Sequence, residues 1–113
     1  MTTAARAFAE RYIDLVNTGR YDQLATLFAP DATFLGPGER ELHGRKEITA
    51  FYSSFLPTIA PHVRLATFVE DGDVCVYELE ARVDDQVEYR LGAIDHATFD
   101  GDGLVVRFAV YTK

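Results

Sequence analysis

The second half of this chain keeps a period of two. Apolar and polar residues alternate over 63–69, 73–83, 87–99 and 104–111. Successive side chains of a strand point to opposite faces, so each run predicts a half-buried β-strand. Glu70-Asp71-Gly72 and Asp100-Gly101-Asp102-Gly103 separate two pairs of these runs and are hairpin signals. The first half keeps the helical period instead. Ala5, Phe8, Tyr12, Leu15 and Val16 share one side of a helix that Thr2 or Thr3 can cap and Gly19 can close. A short second helix over 21–28 gathers Leu24, Leu27 and Phe28 and stops at Pro30. A short strand over 32–35 leads into the turn Gly36-Pro37-Gly38. A third helix over 45–56 buries Ile48, Phe51, Tyr52, Phe55 and Leu56 and stops at Pro57. Helices followed by a meander of strands predict an α+β fold, a bent antiparallel sheet with helices on its concave face. At 113 residues this is one domain, spanning 1–113.

Charge and cysteine content narrow the function. Eleven Lys and Arg stand against eighteen Asp and Glu, for a net charge of −7. Phosphate backbones and anionic lipid surfaces repel such a chain, which excludes nucleic acid and membranes as expected partners. No apolar run approaches the ~20 residues of a membrane span. The N-terminal residues lack the basic start and apolar core of a signal peptide, so the expected address is cytoplasmic. The single Cys75 allows no disulfide framework, and His43, His62 and His96 are scattered, so neither a metal nor another cofactor is expected.

One residue breaks the apolar pattern in an informative place. Cys75, Tyr77, Leu79, Ala81 and Val83 form one face of the strand over 73–83; Val87, Tyr89, Leu91 and Ala93 form one face of the next. A three-residue loop, Asp84-Asp85-Gln86, pairs Val83 with Val87 and Leu79 with Leu91, which puts both apolar sets on one side. Register is strongly set where one face is buried. Asp95 continues that series and is aimed into an apolar interior. A carboxylate there must find a partner or stay protonated. Protonated, it donates a hydrogen bond, and beside a phenol it can stabilise charge developing on a ligand oxygen. Tyr12 offers that phenol, and Tyr52 can extend the chain. The other reading of the same pattern is a structural one, with Asp95 at a strand end or paired with Arg64, Arg90 or Arg107.

The residues Arg11-Tyr12-Ile13, Leu27-Phe28-Ala29, Asp31-Ala32-Thr33, Pro37, His43-Gly44-Arg45, Ala50-Phe51-Tyr52 and Ala93-Ile94-Asp95-His96 occur in the order found in the ketosteroid isomerases. The chain resembles that family, within the NTF2-like (SnoaL-like) superfamily, over nearly its whole length. The resemblance implies an NTF2-like cone, three N-terminal helices packed on a strongly bent, mostly antiparallel sheet. It implies an oxyanion hole of Tyr12 and a neutral Asp95, with Tyr52 in support; the family keeps that carboxyl neutral through its apolar site. It also implies a homodimer.

The departure from the family lies at Gly36, which stands where the family carries its general-base aspartate. A proton shuttle contributes ~10²–10⁴-fold to rate, so steroid isomerisation is expected to be weak or to use a substitute base, Glu39 first and Glu41 second. The expected ligand is a flat hydrophobic carbonyl or phenolic molecule, steroid-like or polyketide-like. It is held by Val16, Phe51, Tyr52, Phe55, Leu79, Leu91, Ala93, Phe108 and Val110. If the chain is an enzyme, it is an isomerase of the steroid delta-isomerase type. The alternatives are a non-catalytic module for hydrophobic ligands and a SnoaL-like cyclase or epoxide hydrolase.

Overall fold

The computed structural model describes residues 2–83 and 88–112. Helix α1 (Ala4–Asn17) is followed by a 3-10 helix (Tyr21–Leu27), strands β1 (Phe28–Gly36) and β2 (Arg40–His43), helix α2 (Gly44–Ile59), and strands β3 (His62–Asp71), β4 (Val74–Arg82), β5 (Arg90–Phe99) and β6 (Val105–Tyr111). The six strands form one sheet in the order β2-β1-β6-β5-β4-β3. Every neighbouring pair is antiparallel except β1 with β6. The α+β class expected from the sequence is what the chain adopts.

The helix ends follow capping chemistry. The Thr3 hydroxyl accepts from the Arg6 N–H at 3.1 Å, satisfying one of the free donors at the start of α1. Gly19, at φ +74°, follows the end of α1, with the Arg20 N–H returning to the Leu15 carbonyl. The Glu47 carboxylate accepts from the His43 N–H at 2.9 Å at the start of α2. The Asn17 side chain then clamps α1 to the sheet. Its amide donates to the Val63 carbonyl and its oxygen accepts from the Val63 N–H, both at 2.8 Å.

Four local expectations are corrected. The second helix is a 3-10 helix that releases the chain before Phe28, and β1 begins there rather than at Ala32. Pro30 sits inside β1, where the pairing with β6 shifts register between Phe28 and Thr33; a residue with no N–H is tolerated at such an irregularity. Helix α2 runs through Pro57 to Ile59, since a proline in the last turn leaves few intrahelical bonds to break. Residues 40–43, assigned no strand from the sequence, form β2 and pair with β1 from Gly36↔Arg40 to Thr33↔His43. In the β4–β5 pair, Leu79 faces Ala93 rather than Leu91, and the register shifts so that Leu91 faces Glu80. Gly92 is the extra residue, a β-bulge. A Cβ there would stand 3.0 Å from the Ala81 Cβ. The loop Asp84-Asp85-Gln86 and Val87 lie outside the described residues.

The core lies between the helices and the concave face of the sheet. Phe28, Phe34, Phe108, Leu15, Leu24, Ile48 and Tyr77 are fully buried there. Phe108 is the hub, with ring centroids 5.4–5.9 Å from Phe8, Tyr12, Phe28 and Phe34. None of the helices among the described residues is long and apolar enough to cross a membrane.

Candidate functional site

A cavity of about 440 Å³ opens between α1, α2 and the concave face of the sheet. Its floor is set by strand register. Tyr77 on β4 faces Asp95 on β5, and Asp95 faces Val110 on β6, so the three residues share the concave face. Asp95 is the only buried charged-type residue among those described, 1% exposed. It is also the only Asp or Glu among the described residues that line the cavity. Neither carboxyl oxygen has a hydrogen-bond partner of normal geometry. Burial pushes its pKa up from 3.8 to about 7, partly offset by the nearby Tyr77 hydroxyl. That hydroxyl is itself buried and unpartnered.

The second polar group comes from the helices. Tyr12 of α1 and Tyr52 of α2 meet hydroxyl to hydroxyl at 2.9 Å. Both phenols titrate above their ordinary 10, chiefly because burial disfavours the phenolate; Asp95 adds to the effect on each. They remain neutral donors across the ordinary pH range. Both line the cavity, as Asp95 does. Buried polar atoms without partners are rare in folded proteins, and here Asp95 combines that condition with an open apolar space beside it. An apolar wall with a few convergent polar groups is the usual make-up of a small-molecule site.

The remaining expected residues divide. Val16, Phe51, Phe55, Leu79, Ala93 and Val110 line the cavity. Leu91 does not. The bulge at Gly92 reverses its face and leaves it 44% exposed opposite Glu80. Phe108 lies behind the wall as the core hub, fully buried and supporting Tyr12 from 5.7 Å. Glu39 sits exposed in the turn between β1 and β2 at φ +63°, outside the cavity lining. Glu41 is exposed and pairs with the His43 ring at 3.3 Å. Gly36 ends β1 beside the cavity. A Cβ added to it would meet the Phe34 ring at 3.0 Å and the Arg40 stem at 3.4 Å.

Sequence reasoning missed Arg40, which lines the cavity with its guanidinium 4.7 Å from the centroid of the Phe51 ring. The signal was available: a Pro-Gly turn followed by Leu42 two residues after Arg40 reads as the return strand of a hairpin. Among the described residues, no group of three or more His, Cys, Asp or Glu is placed to hold a metal ion.

Comparison with known proteins agrees with this architecture. A SnoaL-like domain matches residues 9–108. A steroid delta-isomerase of Nocardioides simplex is 30% identical over 98% of this chain and 91% of its own length. A SnoaL-like protein of Burkholderia thailandensis superposes with a TM-score of 0.83 over 100% of this chain and 98% of that one, at 19% identity. SalBIII, an epoxide hydrolase/cyclase-like enzyme of pyran ring formation in the polyether salinomycin, superposes at 0.78 over 95% of this chain and 88% of its own, again at 19% identity. The fold is the NTF2-like one. With the domain match covering most of its length and the isomerase aligned along nearly all of it, the chain belongs to the SnoaL-like family and is a ketosteroid-isomerase-like member of it.

Proposed function

We propose that this protein binds a flat hydrophobic molecule, steroid-like or polyketide-like, by its carbonyl or phenolic oxygen, with Tyr12 and the protonated Asp95 as the two donors. The observation that carries this reading is the buried, unpartnered Asp95 carboxyl facing an apolar cavity beside the Tyr12–Tyr52 pair. Donors held in place against an apolar wall stabilise a developing oxyanion better than they would in solution. Tyr12 donates to the ligand while its own oxygen accepts from Tyr52, so the second phenol strengthens the first. The relationship to a steroid delta-isomerase makes a β,γ-unsaturated 3-ketosteroid the first substrate to try.

Isomerisation of that substrate needs a base to carry a proton between carbons. Gly36 supplies none, and Glu39 and Glu41 stand outside the cavity lining. The expected activity is therefore weak, limited by proton transfer and not by enolate stabilisation. The same gap favours a second reading, a binding module that holds such ligands without turning them over. A reaction of the cyclase or epoxide hydrolase type, which needs an acid more than a base, is the third.

The test is binding and turnover together. Fluorescence titration with a phenolic steroid is expected to show saturable binding that Tyr12→Phe and Asp95→Leu each weaken by about tenfold, the loss of one hydrogen bond to the ligand oxygen. Slow conversion of the ketosteroid, reduced further in both variants, identifies an isomerase; binding without conversion identifies the module. Binding unaffected by either substitution would refute the donor assignment.

A further inference from the structure

The cavity has a second charged group, at its exposed rim. Among the described residues that line it, Arg40 and Asp95 are the only ones of charged type. Asp95 is at the buried floor, whereas Arg40 is exposed and belongs to the rim. Strand alternation along β2 puts Arg40 on the same side as Leu42, which packs against the core, and puts Glu41 and His43 on the other. Glu41 is taken up by His43 at 3.3 Å, and Glu47 by the His43 N–H at 2.9 Å. Glu39 is held in the hairpin turn. Arg6, Arg11, Arg20 and Arg64 all have carboxylate partners. Arg40 has the face of Phe51, and none of its guanidinium N–H groups bonds to a described residue.

Gly36 explains how Arg40 comes to be there. The two residues are cross-strand partners. The Cδ and Cβ atoms of Arg40 lie 3.4 and 3.5 Å from where a Cβ on Gly36 would stand. The stem of the arginine thus folds across the bare glycine. Beside the position where relatives of the isomerase type are expected to present a carboxylate, this chain presents a guanidinium whose donors are unused by any described residue.

We propose that Arg40 is an anion-recognition residue, and that the ligand carries a carboxylate at the end opposite the oxygen held by Tyr12 and Asp95. This rests on the binding reading above and deepens it. A guanidinium forms two parallel hydrogen bonds with a carboxylate. Its position on an aromatic face fixes the direction of approach. The chain as a whole carries a net charge of −7, so its overall field does not draw anions to this rim. An amphipathic ligand with a buried oxygen and a carboxylate tail would span the cavity from floor to mouth.

The experiment uses fluorescent phenols of two and of four fused rings, each in three forms: unsubstituted, with a carboxylate at the end far from the hydroxyl, and with a primary amide at that position. They are titrated into the wild-type protein and into Arg40→Met, which keeps an apolar stem over Phe51, at about pH 6. At one or both lengths the carboxylate is expected to bind at least about tenfold more tightly than the amide. The preference should shrink as salt is added, because the rim is exposed, and disappear in Arg40→Met, where the ratio of carboxylate to amide affinity is expected to fall to about one. Equal binding of carboxylate and amide at both lengths, or a preference that survives Arg40→Met, overturns the assignment of Arg40 and leaves the deep site standing. Failure of all the phenols to bind the wild-type protein refutes the deep site, and this inference falls with it.

Discussion

Replacing Asp95 with asparagine keeps the shape of the cavity floor and removes its titration. The effect on stability can be worked out from the burial. Folded, the carboxyl holds its proton up to about pH 7; in the unfolded chain it releases it near 3.8. Between those values the unfolded state is favoured by ionisation and the folded state is not. The wild-type protein therefore loses stability as pH rises from about 4 to 7 and loses no more from this group above 7. At about 1.36 kcal/mol per pH unit, raising the pKa from 3.8 to about 7 corresponds to about 4 kcal/mol. Asp95→Asn escapes that loss. Its amide adds a pH-independent offset, because it too lacks partners at the cavity floor, so the slope is the quantity to read. Urea unfolding of both proteins at a series of values between about pH 4.5 and 8.5 is expected to show the variant gaining on the wild type until just above pH 7, by about 3 kcal/mol over that range, since about 1 kcal/mol is already lost at pH 4.5, and then running parallel. A stability difference that stays constant across the range would mean that residue 95 is ionised in the folded state, and the argument for a neutral donor would be lost. The same titration predicts that affinity for a ketone ligand is level below about pH 6 and declines above 7.

Three further outcomes are expected. On the proposed function, Gly36→Asp sets a carboxylate beside the cavity and should raise ketosteroid turnover, but by less than the ~10²–10⁴-fold worth of a free base; the adjacent Arg40 stabilises the carboxylate and weakens it as a base. The double variant with Arg40→Met should be faster than Gly36→Asp alone, and steady-state kinetics on the three proteins decides the matter. Glu39→Gly relieves a non-glycine residue at φ +63° and should stabilise the fold by about 1 kcal/mol in urea melts with ligand affinity unchanged; a fall in turnover would restore Glu39 as the substitute base. Phe108→Ala removes the ring that four other aromatics pack against and should cost about 3–5 kcal/mol by denaturation.

The direction of Asp95 was legible because parity survives errors of two. Pairing Leu79 with Leu91 or with Ala93 puts the same face of β5 inward at residue 95. What parity could not survive was a bulge. Gly92 inserts one residue, and everything before it on β5 changes face, which is why Leu91 left the wall and Ala93 stayed. A glycine inside an alternating run is the recognised mark of such a site. The helices of the first half were legible as amphipathic stripes, and their ends less so. Pro30 and Pro57 read as terminators because proline lacks an N–H, yet one lies at a register shift and the other in a last turn, where that lack costs little. Strand β2 was obscured by its own charge. Three of its four residues are exposed, so an edge strand carrying Arg40, Glu41 and His43 looks like a loop until its pairing with β1 is seen.

The contact between the Tyr12 and Tyr52 hydroxyls has two possible senses, since either oxygen can be the donor. A guest oxygen that accepts from Tyr12 permits one only, with the proton of Tyr52 turned toward α1. If the proposed binding holds, two helices distant in the chain would take a single polarity from one atom of a visitor.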